Sequence, residues 1–297
     1  MPDTESLNTE SLNDLYRDLD TLGTQDVVRA LLEDQARAAT AALGALSELS
    51  RAVDAAAARL ARGGRLVYLG AGTSGRLAAL DAAELPPTFS WPPARALALL
   101  AGGAGAMWEA REGAEDDAQG AARDLREVNL DKGDVLIAVA ASGTTPYALG
   151  GLRFAREAGA LTVAFANNPG TPLLLEAEVG VCLPTGAEVI GGSTRLKAGT
   201  AQKIALNTFS SAVMVRLGKV YGNLMVDLRA TNHKLRARAV RLVMGAADVS
   251  ESAARAALEE SEYQPAVAIV SLRRGVGAGE ARALLDAANG HVRAALT

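Results

Sequence analysis

Along the middle of the chain, short runs of consecutive apolar residues alternate with stretches whose apolar positions recur every three or four residues. Leu66–Leu69, Ala96–Ala101, Val135–Ala141, Leu161–Ala166 and Val179–Leu183 are near-continuously apolar, as strands of a parallel sheet are when both faces are covered. Between them, helical spacing is clear from Arg76 (Leu77, Leu80, Ala83), over Ala118–Val128 and over Pro146–Ala158. Strand and helix in strict alternation predict an α/β fold, a three-layer αβα sandwich doubly wound around a five-stranded parallel sheet.

The flanks read differently. Residues 1–20 are polar and contain the near-repeat TESLNTESLN, which predicts an arm rather than a packed element. Thr24 can cap a helix whose apolar positions run to Gly63-Gly64, long enough for a break near Gly44. That helix would cover one face of the sheet or meet a second subunit. A long helix is predicted to run to Arg216, and another from Asp227 to about Val243. After Gly245, Ser250–Glu260, Gln264–Arg273 and Gly279–Ala295 read as three short amphipathic helices, a small bundle with no chemistry of its own.

Composition narrows the picture. The 297 residues are 49% hydrophobic but only 4% aromatic, so the core is built from small aliphatics in tightly packed layers. The net charge of −4, with no basic block, argues against a nucleic-acid partner. Cys182 is the one cysteine, read as an inert core residue, and the two histidines, His233 and His291, have no companion ligands, so no metal site is expected. No apolar run reaches membrane-spanning length and the first residues are acidic and polar. A cytoplasmic protein without a signal peptide is the expectation.

Candidate chemistry begins at Gly70-Ala71-Gly72-Thr73-Ser74-Gly75, between the first strand and its helix. Free N–H groups and the positive end of a helix dipole would face an anion there, with the hydroxyls of Thr73 and Ser74 aimed into the cradle beside Gly75. The glycines also match a dinucleotide fingerprint, but the next strand ends in Ala101-Gly102-Gly103 without the acidic residue that would hold a ribose. A P-loop is excluded likewise, since Arg76-Leu77 stands where Lys and Ser/Thr are needed. A second such loop, with Ser142, Gly143, Thr144 and Thr145 before Pro146, follows the third strand. Two hydroxyl-rich loops beside the expected switch of winding direction point to a phosphate-bearing ligand.

A third polar passage, residues 186–203, opens the long helix, with Ser193 or Thr194 as its N-cap. Glu188 is either a third hand on the ligand or an exposed loop residue. Arg195, Lys197 and Lys203 either neutralise phosphate or stay solvated. Among the carboxylates, Glu84 is held at a corner where Pro86-Pro87 should stop the helix, and Glu115 lies beyond a bend at Gly113-Ala114. A carboxyl pair in a shared site divides into one acid and one base.

The segments GAGTSGR, DAAELPPTF, EGAED, GAEVIGGSTRLKAGTAQK and YGNLMVDLRATNHKL resemble, in this order, the N-acetylmuramic acid 6-phosphate etherase family, members of the sugar isomerase (SIS) superfamily. The resemblance runs from about Thr4 to the C-terminus. It implies an arm and helix over 1–60, an SIS sugar-phosphate domain over 61–245 and a ubiquitin-associated-like helical domain over 246–297. It further implies a homodimer with active sites near the subunit interface, a small-molecule sugar-phosphate substrate, and no metal or organic cofactor. The implied reaction is loss of the D-lactyl ether, with Glu84 protonating the departing lactate and Glu115 taking the C2 proton. Thr73, Ser74, Gly75, Ser142, Gly143, Thr144, Thr145, Glu188, Ser193 and Lys197 are the implied substrate contacts. One departure stands out: the family's second loop usually carries arginine where this chain has Thr144, so Arg76 or Lys197 would have to supply the cation. The alternatives are a hexosamine-phosphate isomerase on the same loops and a sugar-phosphate-sensing regulator; no basic helix-turn-helix pattern supports the latter.

Overall fold

The computed structural model describes residues 7–109, 111–227 and 233–297. Arg37–Gly44 (α2) and Leu46–Leu60 (α3) follow Thr24–Gln35 (α1), so the break expected at Gly44 is present and another falls at Ala36. Thr24 is the first helical residue and Gly23 the N-cap. The sheet strands are Leu66–Gly70 (β1), Ala96–Leu100 (β2), Val135–Val139 (β3), Leu161–Ala166 (β4) and Val179–Cys182 (β5). All pair in parallel in the order β2-β1-β3-β4-β5, so winding reverses between β1 and β3.

Gly72–Phe89 (α4), Ala118–Glu127 (α5), Pro146–Glu157 (α6), Pro172–Glu176 (α7) and Lys197–Arg216 (α8) complete the layers. Alternation along β1 sorts its side chains. Val67 and Leu69 join Ala121, Leu125, Leu152 and Ala155 of α5 and α6 in one core. Tyr68 points the other way, where its hydroxyl donates to Asp81 Oδ2 at 2.8 Å, and Ser210 Oγ donates to Asp81 Oδ1 at 3.1 Å. Burial and the neighbouring carboxylate push the Tyr68 phenol far above its ordinary pKa, so it stays a donor. Phe209 of α8 meets Phe165 of β4 edge-on on this second face, with ring centroids 6.0 Å apart.

Two expectations change. The central strands are buried on both faces, but β2 is an edge strand and mostly half-buried. Pro86 and Pro87 do not stop α4, although they remove the donors to the Ala82 and Ala83 carbonyls. The helical path runs on to Phe89 and ends at Ser90, whose φ of 51° turns the chain. The prolines lie in the last turn, where few helical bonds remain to be lost.

Contacts divide the chain into one compact unit of residues 1–83 and 94–210 and a second of 84–93 and 211–297. The second holds the short pair Val220–Tyr221 (β6) and Leu224–Met225 (β7), then His233–Ala247 (α9), Glu251–Glu260 (α10), Pro265–Arg274 (α11), Ala278–Ala287 (α12) and Val292–Ala295 (α13). Ala239, Val240 and Val243 of α9 share one core with Ala254, Leu258, Ala268 and Ile269. The boundary expected at residue 246 therefore falls inside this unit. The predicted last helix is split, because Asn289 and Gly290 both take positive φ between α12 and α13. The predicted helix from Asp227 is found from His233; Asp227 itself is not helical and residues 228–232 lie outside the described residues, as does the first part of the N-terminal arm. Among the described residues no helix is long and apolar enough to cross a membrane.

Candidate active site

A cleft of about 1680 Å³ opens at the carboxyl ends of β1 and β3, where the winding reverses. Its floor is the two helix starts. The helix α4 begins at Gly72, four residues ahead of the expected Arg76, so Gly72, Thr73 and Ser74 form its first turn and line the cleft. Their N–H groups have no carbonyl in a preceding turn and are available to an anion. Gly72 takes φ +52°, the left-handed bend that lets strand pass directly into helix.

The second loop is equally tight. Gly143 N–H donates to the Ala140 carbonyl at 3.1 Å, and Thr144 N–H donates to Ser142 Oγ at 3.2 Å. Ser142 and Thr145 hydroxyls are 3.2 Å apart, and Thr145 is the N-cap of α6 with Pro146 in the first turn. Ser142, Thr144 and Thr145 line the cleft opposite Thr73 and Ser74.

Glu115 reaches the same cleft. Gly113 is left-handed, with φ of 70°, and a single helical turn over Ala114–Asp116 then presents Glu115 and Asp116 to the opening. Asp117 is turned away: it accepts from the Gln119 and Gly120 amides and caps α5. Glu84 is exposed on α4, and its residue belongs to the second compact unit.

Five other expected contacts do not line the cleft. Gly75 serves packing: a Cβ there would lie 2.6 Å from the Gly70 carbonyl oxygen. Gly143 does the same against Thr171, whose Oγ1 would be 2.1 Å from an added Cβ. Ser193 is in a turn ahead of α8, its N–H donating to the Ile190 carbonyl at 3.0 Å. Neither it nor Thr194 caps α8, because Glu188 does. Fully buried, Glu188 accepts from Lys197 N–H at 3.0 Å and Ala198 N–H at 2.8 Å. Burial pushes its carboxyl up, against the pull of those two amides and of the Lys197 charge. Lys197 Nζ is equally enclosed, donating to Asp34 Oδ1 at 2.8 Å and to the Ala187 carbonyl at 2.7 Å. Arg76 Nε is directed to the Ala106 and Met107 carbonyls at 3.0 and 3.2 Å. Neither cation is therefore in place to replace the missing arginine at Thr144. Arg153, the cation that does line the cleft, forms a two-point pair with Glu176 at 2.7 and 2.8 Å. Hydroxyls and amides, rather than a bare cation, make up the cradle.

Sequence reading took Thr194 only as a candidate N-cap and missed the N-terminal residues Leu7, Glu10, Ser11 and Leu12, all of which line the cleft. Leu7 and Thr9 are buried at a spacing of two, but the polar Thr9 leaves no apolar pattern by which the sequence would show that the arm packs. Among the described residues no three His, Cys, Asp or Glu side chains gather as a metal site. Cys182 is half-buried on the edge strand, its thiol pushed up by burial and by Glu48.

Relatives agree with this architecture. The profile of the glucokinase regulatory protein N-terminal SIS domain matches residues 48–156, that of the SIS domain matches 118–212, and that of the glucokinase regulatory protein C-terminal lid domain matches 222–274. The N-acetylmuramic acid 6-phosphate etherase of Deinococcus radiodurans is 58% identical over 99% of this chain and 96% of its own length. This chain belongs to that etherase family. The enzyme of the same name from Cronobacter sakazakii is 50% identical over 98% of both chains, and that from Salmonella choleraesuis 47% over the same shares. Among solved structures, a phosphoheptose isomerase from Francisella tularensis shares the fold with a TM-score of 0.52, at 17% identity, over 65% of this chain and all of that one. The family and the SIS architecture are thus those the motifs implied.

Proposed function

We propose that this chain is a carbon–oxygen lyase that removes the D-lactyl ether from N-acetylmuramic acid 6-phosphate, giving N-acetylglucosamine 6-phosphate and D-lactate in amino-sugar recycling. The observation that carries it is near-full-length identity of 47–58% to enzymes of that name. The cleft geometry fits the substrate. Phosphate would sit on the amides of Gly72, Thr73 and Ser74 and the hydroxyls of Ser142, Thr144 and Thr145, and the sugar would extend toward Glu115.

In the open-chain sugar the C1 aldehyde acidifies C2–H. Glu115 takes that proton, the C3–O bond breaks, and Glu84 protonates the departing lactate oxygen. Water then adds to C3 of the unsaturated aldehyde, delivered by Glu84, and C2 regains a proton from Glu115. The pairing of Glu84 with Glu115 is part of the proposal, as is a homodimer. Exposed Leu32, Leu43 and Leu46 on α1–α3 support association with a second copy. Gly75, Gly143, Glu188, Ser193 and Lys197 act here by shaping the walls.

A coupled D-lactate assay tests the reading. Wild type releases lactate, and Glu84→Gln or Glu115→Gln lowers turnover by about 10²–10⁴-fold at unchanged thermal unfolding. Sugar rearrangement without lactate would identify an isomerase and overturn the assignment, and full activity in Glu115→Gln would overturn its role.

A further inference from the structure

We infer that the N-terminal strap Leu7–Leu12 is a substrate-binding wall of the cleft, that Asn168 is the positioning residue holding it, and that Glu10 is its contact to the sugar. This deepens the proposed function and rests on it for the identity of the ligand.

Asn168 lies just past the carboxyl end of β4 and is almost wholly buried. Its Oδ1 accepts from Thr9 N–H at 3.1 Å, and its Nδ2 donates to Thr9 Oγ1 at 2.9 Å. The same Nδ2 reaches the Ala141 and Ser142 carbonyls at 3.1 and 3.3 Å. One amide therefore grips both the strap and the second hydroxyl loop, and Thr9 is fully enclosed by the contact. A polar segment so anchored is part of the site, because Leu7, Glu10, Ser11 and Leu12 line the cleft on either side of Thr9.

Glu10 extends toward the turn at Gly192, where its Oε2 lies 3.7 Å from the position of an added Cβ. Thr194, just beyond that turn, lines the same cleft. An ionised carboxylate only accepts hydrogen bonds, so Glu10 repels a phosphate and suits hydroxyl and acetamido N–H donors. It would orient the ligand with the phosphate on the helix starts and the amino-sugar ring against the strap.

Calorimetric titration with N-acetylglucosamine 6-phosphate and with inorganic phosphate separates these contributions. Glu10→Ala is expected to weaken sugar-phosphate binding about tenfold, as loss of a hydrogen bond to a charged group does, and to leave phosphate binding within twofold. Asn168→Ala is expected to weaken sugar-phosphate binding as well. Because both act through the strap, the double variant should lose no more than the weaker-binding single one, the non-additivity of coupled residues. Unchanged sugar-phosphate affinity in Glu10→Ala overturns the inference, as do independent, multiplying losses. Glu10 is exposed, so that variant decides the matter even if Asn168→Ala fails to fold. A wild type that binds the sugar phosphate yet releases no lactate from the muramic substrate sinks the etherase reading and leaves the strap intact.

Discussion

The loop over residues 140–146 and the passage over 186–197 look alike in sequence. Each is polar, contains glycine and leads into a helix. In the fold they end in opposite states. Ser142, Thr144 and Thr145 turn their polar groups to an open cleft at the start of α6. At the start of α8 the same kind of helix end is already satisfied from within, by the Glu188 carboxylate, with Lys197 closed onto Asp34. What separates the open loop, the proposed ligand site, from a structural cap is thus whether the chain itself supplies the anion. Residue type does not decide it.

The sharpest way to break this comparison is to remove one charge from the closed passage. Lys197→Met should destabilise the fold by about 3–5 kcal/mol, because it removes the enclosed cation of the buried Asp34 and leaves only the exposed Arg37 guanidinium 4.0 Å away. The paired change Asp34→Leu with Lys197→Met should recover most of that loss, read as the midpoint of urea unfolding. If Lys197→Met instead keeps full stability and raises KM, the passage is a ligand site after all.

The open loop should respond in binding and not in stability. Thr144→Arg places a cation at the cradle and is expected to lower KM for the phosphosugar by about fivefold, in line with the worth of a partly exposed charged contact, while thermal unfolding stays put. Unchanged KM at low salt would mean that the phosphate lies elsewhere.

The smallest effect is a control at the amino ends of the strands. Asp134, just before β3, accepts from Arg65 Nε at 3.0 Å and Nη2 at 2.6 Å. Burial would raise its carboxyl, but the Arg65 guanidinium and the amides of Asp131 and Arg65 bring it below the ordinary 3.8. A carboxylate lowered on folding adds stability above its unfolded pKa, and that contribution fades as pH falls through the folded one. Asp134→Asn should therefore flatten the loss of stability below about pH 4 and leave lactate release at neutral pH unchanged, measured by unfolding at pH 3 and pH 7.

The sheet was legible because burial on both faces leaves a local trace: Leu161–Ala166 is apolar except for Thr162 and is β4 to the residue. The two cleft loops were legible for the same reason, being small and polar immediately after such runs. Lys197 was not, since its partner Asp34 is 163 residues away in sequence; Glu188 caps the Lys197 and Ala198 amides only nine and ten residues on, but a loop carboxylate carries no local mark of burial. The strap was hidden by its polarity; Thr9 is buried only because Asn168 meets it across 159 residues. The persistence of α4 through Pro86 and Pro87 overrode a sound local rule. Spacing could expose Glu115 as a bend residue, but its place in the cleft depends on the fold.

The contact between Gly70 and Gly75 has a consequence for how this site can change. Main-chain atoms of strand and helix already touch there, with the Leu100 side chain 2.2 Å from where a methyl group at Gly75 would sit. Backbone is close to incompressible, so the spacing between the sheet's rim and the first helical amides is fixed, and under the proposed function it would gauge the phosphate. Descendants of this chain that acquire a new sugar would keep that gauge and vary the surrounding rim.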